Sequence, residues 1–277
     1  MKAALYRETL PADWFYDPDH YRHELRDIWC REWLCVGRQE DWPGTGDFQR
    51  LCIGDQQIIV TRAGDGSLHA FHNTCRHRGS VLCESAAGQF KNERIVCPYH
   101  AWSYALTGEL ERAPRSTRTD GLQLEDFSLY RVALETWRGF VFVNLAAEPR
   151  VGLRESLATE ADNVAAWPLE ELRRVHRATH RLACNWKIFW ENFLECYHCP
   201  GVHPDLCRLV PVYRTGFMEH ADAGLEPDPQ RPHAMLRPGA VTWSSDGATV
   251  LPWFAGLPEA DAERGMTFAT VLPTMFL

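Results

Sequence analysis

Two short pairs, Cys75-x-His77 and Cys97-x2-His100, each set a sulfur beside an imidazole, with 19 residues between the pairs. Structural zinc sites draw ligands mostly from knuckles of the type Cys-x2-4-Cys and His-x3-5-His, and mixed pairs fit that pattern poorly. A [2Fe-2S] centre held by two thiolates on one iron and two imidazoles on the other asks for this duplicated pair, with one ligand of each kind from each of two opposed loops. Neutral imidazoles in place of two thiolates remove negative charge and raise the potential, so that such a cluster accepts and passes on an electron. Gly79 and Pro98 permit tight turns, and Trp102 is placed to shield the centre from water. A zinc knuckle, or unrelated core thiols and histidines, is the competing reading.

A second constellation, Glu195-x2-His198-x4-His203, lies in NWKIFWENFLECYHCPGVHP. A helix over 186–198 would set Glu195 and His198 on one face at i and i+3, and the break at Pro200-Gly201 would return His203 toward the same point. Non-haem Fe(II) sites take two histidines and one carboxylate and leave positions open for O2 and substrate. Satisfied core polar groups or a zinc site are the alternatives.

The elements that must position these residues follow from periodicity. Tyr21, Leu25, Ile28, Trp29 and Trp33 recur at helical spacing after a cap at Asp17 with Pro18 at the first helical position, which predicts one opening helix. Short β-rich runs fill 44–144, among them QQIIVTR, SLHAFHN, RIVCPYH and GFVFVNL, and predict an antiparallel module. Residues 151–199 read as helical, and the Pro-rich tail holds strand-like RTGFMEH, AVTWSS and TFATVLPTMFL. The division expected is 1–43 for an N-terminal helical segment that packs with the catalytic domain, 44–145 for the cluster domain and 146–277 for the catalytic domain. The finish inside an apolar run leads to the expectation of a chain cut short.

Composition bounds the function. The 277 residues are 45% hydrophobic and 12% aromatic, ample for a packed core, and the formal charge of −8 argues against binding nucleic acid through phosphates while permitting a cationic substrate. No run of about 18 apolar residues and no secretory h-region is present, so a cytoplasmic protein without membrane association is expected. The ten cysteines then read as thiols, metal ligands or packing.

With both constellations in one chain, the sequence resembles the α subunit of Rieske non-haem iron oxygenases, the ring-hydroxylating dioxygenase type. The likeness also runs through the opening helix ending in Trp33 and through TWRGFVFVNL at 136–145. It implies an α+β fold in which a Rieske antiparallel β module is inserted in a helix-grip (START-like) catalytic domain, incomplete here. It implies a cluster on Cys75, His77, Cys97 and His100, mononuclear Fe(II) on His198 and His203, and a head-to-tail homotrimer. In such a trimer Glu195 bridges the mononuclear iron to a neighbour's cluster. O2, a small organic substrate and electrons from an NAD(P)H-dependent reductase or ferredoxin complete the expected system. Respiratory Rieske proteins carry a further cysteine in each loop, where this chain has Ser80 and Tyr99, and Cys83 has no obvious partner.

Many aromatic-ring dioxygenases are similar but carry Asp at the Glu195 position. Glu within Glu-Cys-Tyr-His-Cys resembles the choline, glycine betaine and carnitine oxygenase branch, which leans the substrate toward a quaternary or N-methylated amine. For a cationic ammonium, Trp190, Tyr213, Trp243, Trp253 and Phe254 are candidate cage residues. Aromatic-ring dioxygenation is the alternative. A second class of reading is an electron-transfer Rieske protein without a working mononuclear site, since none of Asp205, Asp222, Asp228, Asp246 and Asp261 matches the family's third iron ligand. A zinc-binding structural protein is a third.

Overall fold

The computed structural model describes residues 9–114, 121, 123–226 and 228–277. It opens on α1 (Asp13–Tyr16) and α2 (Pro18–Glu24). Asp17 caps α2, its Oδ1 accepting from the Asp19 N–H at 2.9 Å, and Pro18 occupies a first-turn position where no N–H is needed. The single helix expected to reach Trp33 is not formed. α2 widens into a π turn over Leu25–Trp29 and ends, with the Trp29 ring set edge-on to Trp186 at 5.6 Å. A tertiary contact overrides the local period there.

Strands β1 (Leu34–Arg38), β2 (Asp47–Ile53), β3 (Gln56–Arg62), β4 (Leu68–His72) and β5 (Ala87–Gln89) are followed by a separate three-stranded sheet. That sheet consists of β6 (Arg94–Val96), β7 (Ser103–Ala105) and β8 (Leu110–Arg112). Strands β9 (Arg131–Trp137) and β10 (Phe140–Asn144) then complete a seven-stranded antiparallel sheet in the order β1-β10-β9-β4-β3-β2-β5. Arg138 and Gly139 carry φ of 47° and 87°, the pair of left-handed residues that a two-residue hairpin turn needs.

The pleat sends alternate residues to opposite faces, and both faces are buried. Ile59 and Phe71 look toward the small sheet, where they meet Ile95, Tyr104 and Leu110. Ile58, Val60 and Ala70 look the other way, onto Leu34, Trp42, Val141 and Val143. Cys75 and Cys97 belong to the first of these cores, between the two sheets.

After the sheet come α3 (Leu153–Asn163), α4 (Trp186–Phe193), α5 (Cys199–Val202), α6 (Pro204–Leu209) and α7 (Glu259–Arg264), then the hairpin β11 (Thr270–Val271) and β12 (Met275–Phe276). The helical reading of 151–199 holds only in part. Residues 172–184 form no helix and are mostly exposed, because RRVHRATHR offers no apolar stripe for a helix to bury. The strand-like runs at 214–220 and 240–245 form turns, whereas the last apolar run does supply β11 and β12. Among the described residues no helix is long and apolar enough to cross a membrane.

Candidate metal centres

Two loops built alike carry the first constellation. In the loop after β4, the Cys75 N–H donates to the Ser80 carbonyl at 2.8 Å and the Gly79 N–H to the Cys75 carbonyl at 2.9 Å. In the loop between β6 and β7, the Cys97 N–H donates to the Trp102 carbonyl at 2.8 Å and the Ala101 N–H to the Cys97 carbonyl at 3.1 Å. The fourth residue after each cysteine is left-handed, Gly79 at φ 70° and Ala101 at φ 58°. Each turn thus closes on its own cysteine by the same two bonds and leaves its histidine free to project.

The four side chains meet as two pairs. Cys75 and Cys97 are buried and in contact, and burial pushes the Cys75 thiol up from its ordinary range. The His77 and His100 rings lie 4.8 Å apart on the outer side, with His77 exposed and stacked on Trp102 at 4.8 Å and 10°. His100 Nδ1 is buried with no hydrogen-bond partner. A desolvated imidazole nitrogen left in that state costs free energy unless something takes its lone pair. Buried thiols on one side, imidazoles on the other and an orphaned ring nitrogen fit a [2Fe-2S] group. Among the described residues no three His, Cys, Asp or Glu side chains close on a single point.

Two supporting residues were not visible in the sequence. Asn73 Oδ1 accepts from the Leu82 and Cys83 N–H groups at 3.1 and 3.0 Å, and its Nδ2 donates to the Cys83 carbonyl at 2.7 Å, which pins the far end of the first loop. Cys83 remains a free thiol, pushed up to about 11 by burial. Tyr104 accepts the Arg76 N–H at 3.1 Å and sets its hydroxyl 3.2 Å from Cys75 Sγ. A tyrosine 29 residues from its partner carries no local signal.

The second constellation sits where α4 stops. The helix expected over 186–198 ends at Phe193, so Glu195 and His198 lie in the turn between α4 and α5, and Pro200 falls in the first turn of α5 rather than breaking a helix. Glu195 Oε1 is 2.6 Å from His198 Nδ1, and its carboxylate also accepts the Tyr197 N–H. Burial works against the Glu195 charge, but these hydrogen bonds outweigh it and hold the carboxyl below its usual range. With Nδ1 engaged, the other nitrogen of His198 is the one left for a metal. The His203 ring stands 5.2 Å from His198 at 78°.

No third ligand joins them among the described residues. Asp205 pairs with Arg208 on the surface, and Asp228 and Asp246 accept the N–H groups of Gln230 and Ala248 in local turns. Two facing imidazoles fit two positions of a mononuclear iron site.

Glu195, His198 and His203 line a cavity of about 230 Å³ whose walls include Phe193, Tyr213, Trp243, Phe268 and Phe276. Of the expected cage residues, Tyr213 and Trp243 are present. Trp190 is instead buried and donates to the Pro273 carbonyl at 2.9 Å, Trp253 is exposed, and Phe254 packs against Trp167. Phe268 and Phe276 come from the last apolar run, whose strand pattern showed two β elements but not which side chains they turn inward.

Residues 32–133 match the Rieske [2Fe-2S] domain, and residues 169–277 match the ring hydroxylating alpha subunit (catalytic domain). The chain is 40% identical over 205 residues to the glycine betaine monooxygenase oxygenase subunit of Chromohalobacter salexigens, covering 74% of this chain and 45% of that protein. To the carnitine monooxygenase oxygenase subunit of Escherichia coli K12 it is 33% identical over 224 residues, covering 79% and 58%. It therefore spans about half the length of these curated relatives. Among solved structures it resembles the quaternary ammonium Rieske monooxygenase CntA in complex with gamma-butyrobetaine, with a TM-score of 0.65 and 30% identity over 71% of this chain and 56% of that one. Naphthalene 1,2-dioxygenase matches at a TM-score of 0.58 and 29% identity over 69% and 44%. Both domains stand in the order of that fold, and the chain belongs to the α subunits of the Rieske non-haem iron oxygenases.

Proposed function

We propose that this chain carries the metal centres of an oxygenase that hydroxylates a small quaternary or N-methylated ammonium compound at a carbon beside nitrogen. The observation that carries the reading is the cavity in which the facing His198 and His203 rings share walls with five aromatic side chains. Cys75 and Cys97 would hold one iron of the cluster and His77 and His100 the other, while His198 and His203 would hold mononuclear Fe(II). When bound, the cluster supplies single electrons and the mononuclear iron supplies O2 activation.

The rest is done by this chain's side chains. The aromatic walls exclude water, and ring faces attract a desolvated cation by about 2 kcal/mol or more. Glu195 holds His198 through Nδ1 and keeps one carboxylate edge half exposed. In a head-to-tail homotrimer, the exposed His77 edge of a neighbouring copy would approach that edge. An NAD(P)H-dependent reductase or ferredoxin supplies electrons, in the cytoplasm. The relatives named for glycine betaine and carnitine support the substrate class.

A second reading, electron transfer through the cluster alone, rests on the lack of a third ligand among the described residues. Iron and acid-labile sulfide per chain separate the two. About three irons with two sulfides, falling to two irons in His198→Ala and His203→Ala, supports the oxygenase. Two irons in all of these proteins supports the electron carrier. O2 uptake with a reductase and glycine betaine, carnitine or naphthalene then tests the substrate class, and uptake driven by naphthalene alone overturns it.

A further inference from the structure

Three cysteines, none of which the proposed metal centres use, crowd the cavity end of the catalytic half. Cys196 and Cys199 flank His198 in a Cys-x2-Cys spacing, and their sulfurs lie 2.7 Å apart. Both are buried and both line the cavity that holds His198 and His203. Cys207, from α6, belongs to the same buried cluster. The local backbone brings the pair together: the Cys199 N–H donates to the Cys196 carbonyl at 3.0 Å, closing a turn with Tyr197 and His198 between the thiols. That turn also carries the Glu195 contact to His198 Nδ1 at 2.6 Å.

We propose that Cys196 and Cys199 are a reversible dithiol–disulfide site, oxidised by hydrogen peroxide arising in the cavity, whose closure lowers the hold of His198 on its metal. This rests on the reading of His198 and His203 as iron ligands. Hydrogen peroxide is what O2 becomes when two electrons and two protons reach it without substrate. The step balances: both S–H bonds and the O–O bond break, one S–S bond forms, the thiols are oxidised by two electrons, and two waters leave. A disulfide here ties the chain on both sides of His198. It fixes the two intervening residues in a ring that the reduced protein does not have, and the imidazole direction that now meets Glu195 is set with both thiols free. Both residues line the cavity, so hydrogen peroxide present there, whether formed inside or added, meets both thiols. A cellular dithiol would reopen the bond by exchange.

The test uses the purified full chain with its metals. It is exposed to one equivalent of hydrogen peroxide or left anaerobic, then alkylated and digested with trypsin. Residues 188–208 contain no Lys or Arg before Arg208, so all three cysteines fall in one peptide. Expected is a peptide lighter by two hydrogens and alkylated once, restored to three alkylations by dithiothreitol. The same loss is expected in Cys207→Ser and no loss in Cys199→Ser. Iron per chain should fall by about one third on oxidation, with sulfide unchanged, and should rebind after reduction.

Oxidation of the exposed Cys52 and Cys184 with the 188–208 peptide still carrying three alkyl groups overturns the proposal, as does a bond that Cys207→Ser abolishes. A bond that forms while iron is fully retained overturns its control of His198. Protein that binds no mononuclear iron before oxidation counts against the reading of His198 and His203 instead, and the mass shift still reports on the thiols.

Discussion

Glu24, from α2, and Lys187, from α4, pair inside the protein, Nζ to Oε1 at 2.5 Å, with side chains 5% and 10% exposed. Trp186 Nε1 donates to the second carboxylate oxygen at 2.8 Å. The pair fastens the opening helix to the helix that leads into the Glu195–His198 turn. Buried pairs contribute little net stability, but removing one partner strands a desolvated charge and costs about 3–5 kcal/mol.

Lys187→Met should therefore lower the unfolding free energy read from urea melts by an amount in that range, whereas Glu24→Gln combined with Lys187→Met should recover much of it. The double variant removes the charge yet keeps an acceptor for Trp186. Equal loss in the single and double variants would show that the pair is not what holds the two helices.

Tyr104 should set the potential of the cluster proposed on Cys75. Its hydroxyl gives one bond to sulfur while accepting from the Arg76 N–H, so the proton is directed at Cys75. A donor at a ligating sulfur favours the reduced, more negative cluster. Tyr104→Phe keeps the buried ring and removes the donor. A redox titration should give a lower midpoint, with the spectrum of mixed sulfur and imidazole ligation retained. An unchanged midpoint would remove Tyr104 from the account.

The grouping of the candidate ligands was legible because metal chemistry admits few residue types, and those types repeated at short spacing. Cys75, His77, Cys97 and His100 announce themselves as two pairs, and the structure sets the two cysteines between the two sheets and the two imidazoles beside each other on the outer side. The helix–sheet–helix order was legible from period alone. What was not legible depends on contacts between distant parts of the chain. Asn73 pins a loop through backbone groups ten residues away, Phe268 and Phe276 reach the cavity from the last hairpin, and Trp29 ends its helix by meeting Trp186. Such residues are chosen by the fold, so single-residue propensity carries no trace of them.

His69 and His72, on β4, should make the cluster domain acid-sensitive. Burial lowers the pKa of both, and Arg131 lowers that of His69 further against the opposing pull of Asp65 and Glu109. A histidine whose folded pKa is depressed binds fewer protons folded than unfolded. Its contribution is therefore fully present above the ordinary range near 6.5 and is lost as pH falls through the depressed value. Urea midpoints at about pH 7.5 and about pH 5.5 should differ less in His72→Gln than in the parent. A difference as large as the parent's would place the acid sensitivity elsewhere.

Gly108, in the turn between β7 and β8, has φ +98°, and a Cβ there would come within 2.4 Å of Cε1 and 2.7 Å of Cζ of Phe71. Phe71 is fully buried in the core that also holds Cys75 and Cys97, so its ring has nowhere to retreat. Gly66, in the turn between β3 and β4, has a similar φ of +85° with nothing within 4 Å of the added carbon. The two glycines thus separate two costs. Gly66→Ala should bear only the left-handed backbone penalty, about 1–2 kcal/mol. Gly108→Ala should bear that and about 1–3 kcal/mol more for the displaced ring. If the packing argument is right, Gly108→Ala also bleaches the cluster at a lower temperature than Gly66→Ala, because Phe71 moves against the layer that contains the thiols. Equal losses in the two variants would mean that Phe71 yields freely and that this core is looser than its burial indicates.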